Sequence, residues 1–312
     1  MKTFWITGAR GFIGRHLARN LALSGNRVCG LGHGAWPEIE SNLWGISYWL
    51  NAEVSISSLA QLKAKLGKPH GIFHFAGGSS VGAAISNPHE DFKRTVGATA
   101  ELLEWIRQYS INTPLVAASS AAVYGAGHEG PISENDKLSP YSPYGTHKLM
   151  MEELCSSYAE NFGLRVALPR LFSVYGPELK KQLLWDICNK LEIKNEIALG
   201  GNGSEMRDWI YVGDVVATLA NLIESCSKKS LILNIATSTA TSVRDVATLV
   251  AQKWSPEKSI KISFSGESRT GDPQNLIGDI KKLQDLGFAC GTTFDQGISE
   301  YVAWFRTLGS RA

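Results

Sequence analysis

Residues 2–16 read Lys2-Thr3-Phe4-Trp5-Ile6-Thr7-Gly8-Ala9-Arg10-Gly11-Phe12-Ile13-Gly14-Arg15-His16. A short apolar run rich in β-formers enters three glycines, and residues 15–22 continue as a helical pattern that ends near Gly25. Strand, glycine turn and helix, in that order, form the context of a dinucleotide-binding fingerprint. Gly8 permits the tight turn, Gly11 lets a pyrophosphate approach backbone N–H groups, and Gly14 lets the helix pack on the strand. Phe12 and Ile13 lie inside the same cradle. The spacing is G-x-x-G-x-x-G rather than the commoner G-x-G-x-x-G, and three glycines alone also suit a plain turn.

Working outward, residues 27–31 read as a second strand. A NAD-binding unit usually ends this strand with a carboxylate for the ribose 2′-hydroxyl. Here Gly32 stands in that place and His33 follows. The missing carboxylate removes repulsion against a 2′-phosphate, His33 can donate to it, and Arg10 adds charge. This favours NADP over NAD; the alternative is a simple loop with NAD held otherwise. A third strand is expected near residues 46–50. Glu53 and Val54 come next, placed at the adenine or opening the segment towards residues 59–62.

Residues 71–78 form a clearer fourth strand, in which His74 reads as a packed histidine. Phe75, Ala76 and Gly77 close it, where small residues let a ligand lie near the backbone. Ser80 and Val81 follow on the substrate side. A long helix over 92–109 is interrupted at Gly97, where close packing is expected. A fifth strand over 114–118 runs into Ser119 and Ser120. Strands alternating with helices imply a doubly wound parallel sheet, with ligands at the carboxyl ends of the strands.

Ser142-Pro143-Tyr144-Gly145-Thr146-His147-Lys148 opens another helix, with Pro143 in its first turn. Tyr144 and Lys148, four apart, then share one face. A nearby ammonium favours phenolate, so the pair can handle protons near neutral pH. Alone, Y-x-x-x-K is a common chance pattern. After a sixth strand over 164–172 the alternation loosens. Helices are expected over 180–191, 213–224, 242–254 with Ser242 as cap, and near 297–308; a strand is expected over 231–235. The expected division is a dinucleotide domain over 1–176, with parts of 207–236 returning to it, and a smaller mixed α/β substrate domain over 177–312.

The 312 residues suit two domains. A net charge of +2 without a long basic run excludes a nucleic-acid footprint. Five cysteines lack C-x-x-C spacing and seven histidines are scattered, so reduced thiols in the cytoplasm are expected and no metal site is proposed. Apolar runs are too short to span a membrane.

Together these segments resemble the extended short-chain dehydrogenase/reductases, in particular the group of nucleotide-sugar epimerases, dehydratases and reductases. Residues 7–14 resemble that family's T-G-x-x-G-F-I-G and 73–77 its fourth-strand motif. Ser119-Ser120-Ala121-Ala122-Val123-Tyr124-Gly125 resembles S-S-x-x-V-Y-G, and 142–148 resembles S-P-Y-x-x-x-K. Residues 169–177 resemble R-x-F-N-V-Y-G-P. Segments 207–212 and 269–272 resemble the two that bring arginines to a sugar-nucleotide diphosphate. The resemblance implies a Rossmann-type fold, Ser120 as catalytic hydroxyl, and Lys148 holding the nicotinamide ribose. Lys148 and the cofactor's charge acidify Tyr144, which passes a proton to or from a sugar oxygen. Arg207 and Arg269 pair with the diphosphate. A homodimer is also implied, and the family's common use is in making surface-polysaccharide sugars.

Departures choose among reactions. Family dehydratases carry an Asp-Glu pair where this chain has Ala121 and Ala122, which exchange no proton. Ser173 replaces the usual Asn at the diphosphate. The resulting expectation is an NADP-preferring reductase of a nucleotide-linked 4-keto-(6-deoxy)hexose. A nucleotide-hexose 4-epimerase with tightly held NAD is the alternative, and a non-catalytic sensor of NADP or sugar nucleotide is a third.

Overall fold

The computed structural model describes residues 1–227, 229–257, 259–267 and 273–309. In chain order the elements are β1 (Thr3–Thr7), α1 (Phe12–Leu23), β2 (Arg27–Gly32), α2 (Glu38–Leu43), β3 (Ile46–Asn51), α3 (Ile56–Leu66) and β4 (Gly71–His74). Then come α4 (Val81–Ser86), α5 (Pro88–Phe92), α6 (Ala98–Tyr109), β5 (Leu115–Ala117), β6 (Ser119–Ser120), β7 (Pro131–Ile132), α7 (Pro143–Phe162) and β8 (Val166–Leu171). The rest is β9 (Ser173–Tyr175), α8 (Gln182–Ile193), β10 (Glu196–Leu199), β11 (Met206–Tyr211), α9 (Val212–Leu222), β12 (Leu231–Ile235), β13 (Ala240–Ser242), α10 (Val243–Trp254), β14 (Lys261–Phe264), β15 (Asn275–Gly278), α11 (Lys281–Asp285) and α12 (Phe294–Gly309). Internal contacts divide the chain into one unit of residues 1–125, 137–171 and 216–233, and a second of 126–136, 172–215 and 234–312.

The first unit is a Rossmann-type sheet in the order β12-β8-β5-β4-β1-β2-β3, with β6 extending the pairing on β8. β1 pairs parallel with both β2 and β4, and the strand order reverses beside it. The strands read as near-continuous apolar runs because helices cover both faces of such a sheet. Trp5, Leu31, Ile72, Leu115 and Leu168 sit in its core, packed with Leu102, Trp105 and Met151 from the helices. The expected long helix over 92–109 is three pieces: α5, a π-helical turn at Lys93–Gly97, and α6. The close packing expected at Gly97 is not found, since a Cβ there would meet nothing within 4 Å. The break has its cause in Thr95, whose hydroxyl caps the Gly78 N–H at 2.8 Å while its carbonyl accepts from Thr99 at 2.6 Å.

The second unit holds a mixed sheet, β13-β11-β15-β7 with β9 also on β11, and a separate parallel pair β10–β14. Its pivot is Asp208 on β11, fully buried. The carboxylate accepts from the Thr237 N–H and hydroxyl and from the N–H groups of Ser238 and Gly278. Those donors close the turn after β12 and the end of β15 around one side chain. α10 starts at the Ser242 cap, which accepts from the Asp245 N–H at 3.0 Å.

His74 ends β4 with its ring buried between Thr7 and Thr99, at 2.7 and 3.1 Å. Because the Thr99 hydroxyl already donates to Thr95, His74 Nε2–H donates to Thr99 and Nδ1 accepts from Thr7. Burial, with the Lys148 charge, pushes the imidazole down to about 3. The folded chain therefore keeps it neutral where an unfolded one takes up a proton below about 6.5. Stability is expected to fall with pH from about 6.5 downward, by at most ~1.4 kcal/mol per pH unit from this group. Thermal midpoints measured between pH 7 and 5 should decline more steeply for the wild type than for His74→Gln. Parallel declines would remove His74 as the cause.

Candidate active site

The carboxyl end of the first unit's sheet carries the glycine cradle. A Cβ on Gly8 would lie 2.7 Å from the Phe75 carbonyl carbon, and one on Gly14 would lie 2.5 Å from the Gly8 oxygen. Gly8 also has φ of +70°, which disfavours any side chain. Gly11 is the N-cap of α1 and offers no side chain to its first-turn N–H groups, which stay free for an anion. Phe12 and Ile13 form that first turn, half-buried. The cradle therefore fits the pyrophosphate of a dinucleotide. Phe75, Ala76 and Gly77 run beside it: the Phe75 N–H bonds the Thr7 carbonyl at 3.0 Å, and the Ala76 N–H reaches the Thr7 hydroxyl at 3.3 Å.

At the end of β2 the structure gives Gly32 a packing reason. The Trp49 ring from β3 lies along the strand, so that a Cβ on Gly30 or Gly32 would come within 2.9 or 3.0 Å of it. Trp49 Nε1 donates to the Gly34 carbonyl at 3.1 Å, and the Gly34 N–H donates to Asn51 Oδ1 at 2.8 Å. Packing against this ring gives Gly32 a reason to be small that is independent of a 2′-phosphate. His33 and Arg10 are both exposed, with Arg10 Nη1 over Gly34. Glu53 is exposed and its carbonyl accepts from the Ser58 hydroxyl, while the Val54 side chain packs into the core.

Ser120, Tyr144 and Lys148 come together in this unit, and a glycine does it. A Cβ on Gly145 would lie 2.5 Å from the Ala122 carbonyl oxygen. Backbone contact there seats the start of α7 directly on the 3-10 turn Ala121–Val123 that follows Ser120. Ser142 caps α7 by accepting from the Gly145 N–H at 3.2 Å. Ser120 caps the 3-10 turn, accepting from Ala122 N–H at 3.2 Å, and its hydroxyl is hydrogen-bonded to the Tyr144 phenol. Lys148, one turn on, is buried and donates to the Ala118 carbonyl at 2.7 Å. Below them Glu152 and Arg170 form a buried ion pair at 2.7 Å, and Ser119 donates to the same carboxylate at 2.5 Å.

The electrostatics differ from expectation at Tyr144. Burial pushes the phenol up, the Ser120 hydrogen bond draws it down, and the Asp91 carboxylate adds a further upward push. The Lys148 ammonium is turned to the Ala118 carbonyl and has the Asp91 and Glu152 carboxylates near it. Burial pulls Lys148 down to about 8, against the Asp91 and Glu152 carboxylates and Cys155, which hold it up. Burial, with the Asp91 charge, therefore holds the Tyr144 phenol above its ordinary value.

Ser80 caps α4, accepting from the Ala83 N–H at 3.3 Å, and half-buried Val81 is the first residue of that helix. Ser173 on β9 and Arg207 on β11 belong to the second unit, both half-buried; Arg207 Nη1 donates to the Met206 carbonyl at 2.8 Å. Arg269 lies outside the described residues. The sequence reading missed Gly145 and Trp49. Gly145 carried a signal, since glycine in a helix costs about 1 kcal/mol against alanine and needs a reason.

The chain belongs to the NAD dependent epimerase/dehydratase family, whose sequence model matches residues 4–236. It is similar to a protein of Methanocaldococcus jannaschii provisionally named a UDP-glucose 4-epimerase, 29% identical over 96% of this chain and 97% of that one. The structure of MoeE5 in complex with UDP-glucuronic acid and NAD is 29% identical, covering 98% of this chain and 99% of its own with a TM-score of 0.85. A Bacillus cereus UDP-glucuronic acid 4-epimerase, in complex with UDP-glucuronic acid and NAD, is 26% identical over 98% and 99%, also at 0.85. The fold and the enzyme class expected from the sequence, an extended short-chain dehydrogenase/reductase acting on nucleotide sugars with a nicotinamide dinucleotide, stand on these findings.

Gly145→Ala should force α7 away from the Ala122 carbonyl and weaken the Ser120–Tyr144 hydrogen bond. The Tyr144 phenol, followed by tyrosine 13Cζ resonances, should then titrate at higher pH than in the wild type. An unchanged titration would mean the 3-10 turn yields instead of the helix.

Proposed function

We propose that the chain is an NAD-dependent 4-epimerase of a UDP-hexose or UDP-hexuronate. The observation that carries this is the joined set Ser120, Tyr144 and Lys148 with alanines, not acids, at 121 and 122. One proton-handling group faces the sugar, which suits removing and returning hydrogen at a single carbon. The relatives named as 4-epimerases, and the neighbours that hold NAD with a UDP-sugar, support epimerisation over the NADP-linked reduction that Gly32 and His33 favoured. The packing of Trp49 against Gly32 weakens the case for NADP further.

NAD, when bound, supplies the acceptor and later the donor of the C4 hydride. The glycine cradle binds the pyrophosphate, and the Lys148 ammonium holds the nicotinamide ribose. Once the positive charge that NAD would add has ionised the phenol, Tyr144 Oη would take the proton of the C4 hydroxyl and, after the 4-keto ring turns its other face, return it to the same C4 oxygen. Ser120 Oγ hydrogen-bonds the same oxygen and keeps it in line with Tyr144. Arg207 and Arg269 are assigned to the diphosphate, with Ser173 in place of the usual amide.

The test is to incubate the purified protein with UDP-glucose or UDP-glucuronic acid and NAD and follow the sugar by NMR. The C4 epimer should appear without net consumption of nucleotide, and Tyr144→Phe should lower turnover by about 10²-fold or more. Stoichiometric NADPH oxidation by a 4-keto sugar nucleotide, with no epimer formed from either UDP-sugar, would return the reading to a reductase.

A further inference from the structure

The first unit holds a buried acid–base pair that the site so far described does not use. His147 stands between Tyr144 and Lys148 in sequence, and its Nδ1–H donates to Asp91 Oδ2 at 2.6 Å. Asp91 sits on α5 with its side chain only 6% exposed; that of His147 is 12% exposed. The other carboxylate oxygen is pressed against Gly78, where a Cβ would come within 1.8 Å of it. Gly78 in turn donates to Thr95 at 2.8 Å, beside the loop that leads to Ser80. One carboxylate therefore touches both the loop after β4 and the turn of α7 that carries Tyr144 and Lys148.

We propose that Asp91, acting through His147, is a positioning residue for Tyr144 and Lys148: it fixes the loop after β4 against α7 and places a fixed negative charge behind the pair. The proposal rests on the assignment of Tyr144 and Lys148 as the proton-handling pair. The hydrogen bond fixes the pitch of α7 at its first turn, where an error of about 1 Å costs about 10²-fold in rate. The charge has a separate effect. Burial draws the Lys148 ammonium down, and Asp91 is the first of the groups that oppose this. Burial raises the Tyr144 phenol, and the same charge adds to that push.

The other charged groups around α5 do not supply this field. α4 carries no titratable side chain, and the π-helical turn contributes only exposed Lys93 and Arg94. Arg94 is paired with Glu90 of α5 at 2.6 Å. From α7 the facing groups are His147, Tyr144 and Lys148, and Glu152 lies further along the same helix.

Asp91→Asn keeps an acceptor for His147 and removes the charge; Asp91→Ala removes both. In Asp91→Asn the Tyr144 phenol, identified as the 13Cζ resonance missing from Tyr144→Phe, should ionise at lower pH than in the wild type. The alkaline limb of the turnover profile, set by Lys148, should move down with it. Asp91→Ala should lower kcat at the pH optimum by about 10-fold or more, with KM for the sugar nucleotide changed by less than about 3-fold, and Asp91→Asn should recover most of that loss. A Tyr144 titration unchanged in a folded Asp91→Asn protein overturns the charge role, and wild-type kcat in Asp91→Ala overturns the positioning role. The phenol titration needs no substrate. If no UDP-sugar is epimerised but the titration still shifts, the substrate assignment fails and Asp91 keeps its place.

Discussion

The buried pair of Glu152 and Arg170 is the constraint on which the rest of the first unit depends. Arg170 donates to both carboxylate oxygens, at 2.9 and 2.7 Å, and to the Tyr124 hydroxyl at 3.0 Å. Ser119 fills a further lone pair of the same carboxylate. Burying two charges is costly, and removing one partner of such a pair typically costs about 3–5 kcal/mol because the other is left uncompensated. Here every piece that bears on the site is tied into the network. Glu152 is on α7 with Tyr144 and Lys148, Arg170 is on β8, and Ser119 and Tyr124 flank the turn that begins at Ser120. The ion pair thus holds the three elements together from below, and the Gly145–Ala122 backbone contact brings them into register from above.

The architecture was readable because each strand of the first unit announces itself locally. β1, β2, β4 and β5 are apolar runs with small residues at their ends, and α1 and α7 open on a glycine and on Ser142-Pro143. Tyr144 and Lys148 were legible in their four-residue spacing and Ser120 in its place at the end of β5, whereas their joint role was implied by the resemblance, since Ser120 and Tyr144 meet by tertiary contact. What escaped was whatever depends on a partner far along the chain. Asp91 and His147 are 56 residues apart and neither has an unusual local setting. Gly32 was misjudged for the same reason. Its lost carboxylate looked like a statement about the cofactor, while a tryptophan on the neighbouring strand gives it an independent reason to be small. The break before α6 was seen but assigned to Gly97, when the hydrogen bonds of Thr95 make it.

The charges around the site also form a single system. Lys148 is the only one of the three site residues that carries charge in the folded chain, and it lies among Asp91, Glu152 and Cys155. Burial, with the Asp91 charge behind it, holds the Tyr144 phenol above its ordinary value. A tyrosine that stays protonated until a further positive charge arrives does not hold a permanent base in the sugar site.

That arrangement bears on reaction choice. Ala121 is buried, and Ala122 supplies the carbonyl on which Gly145 rests, so both positions are occupied by packing. Alanine at both positions supplies no acid beside Tyr144, which is why dehydration is not part of the proposed function.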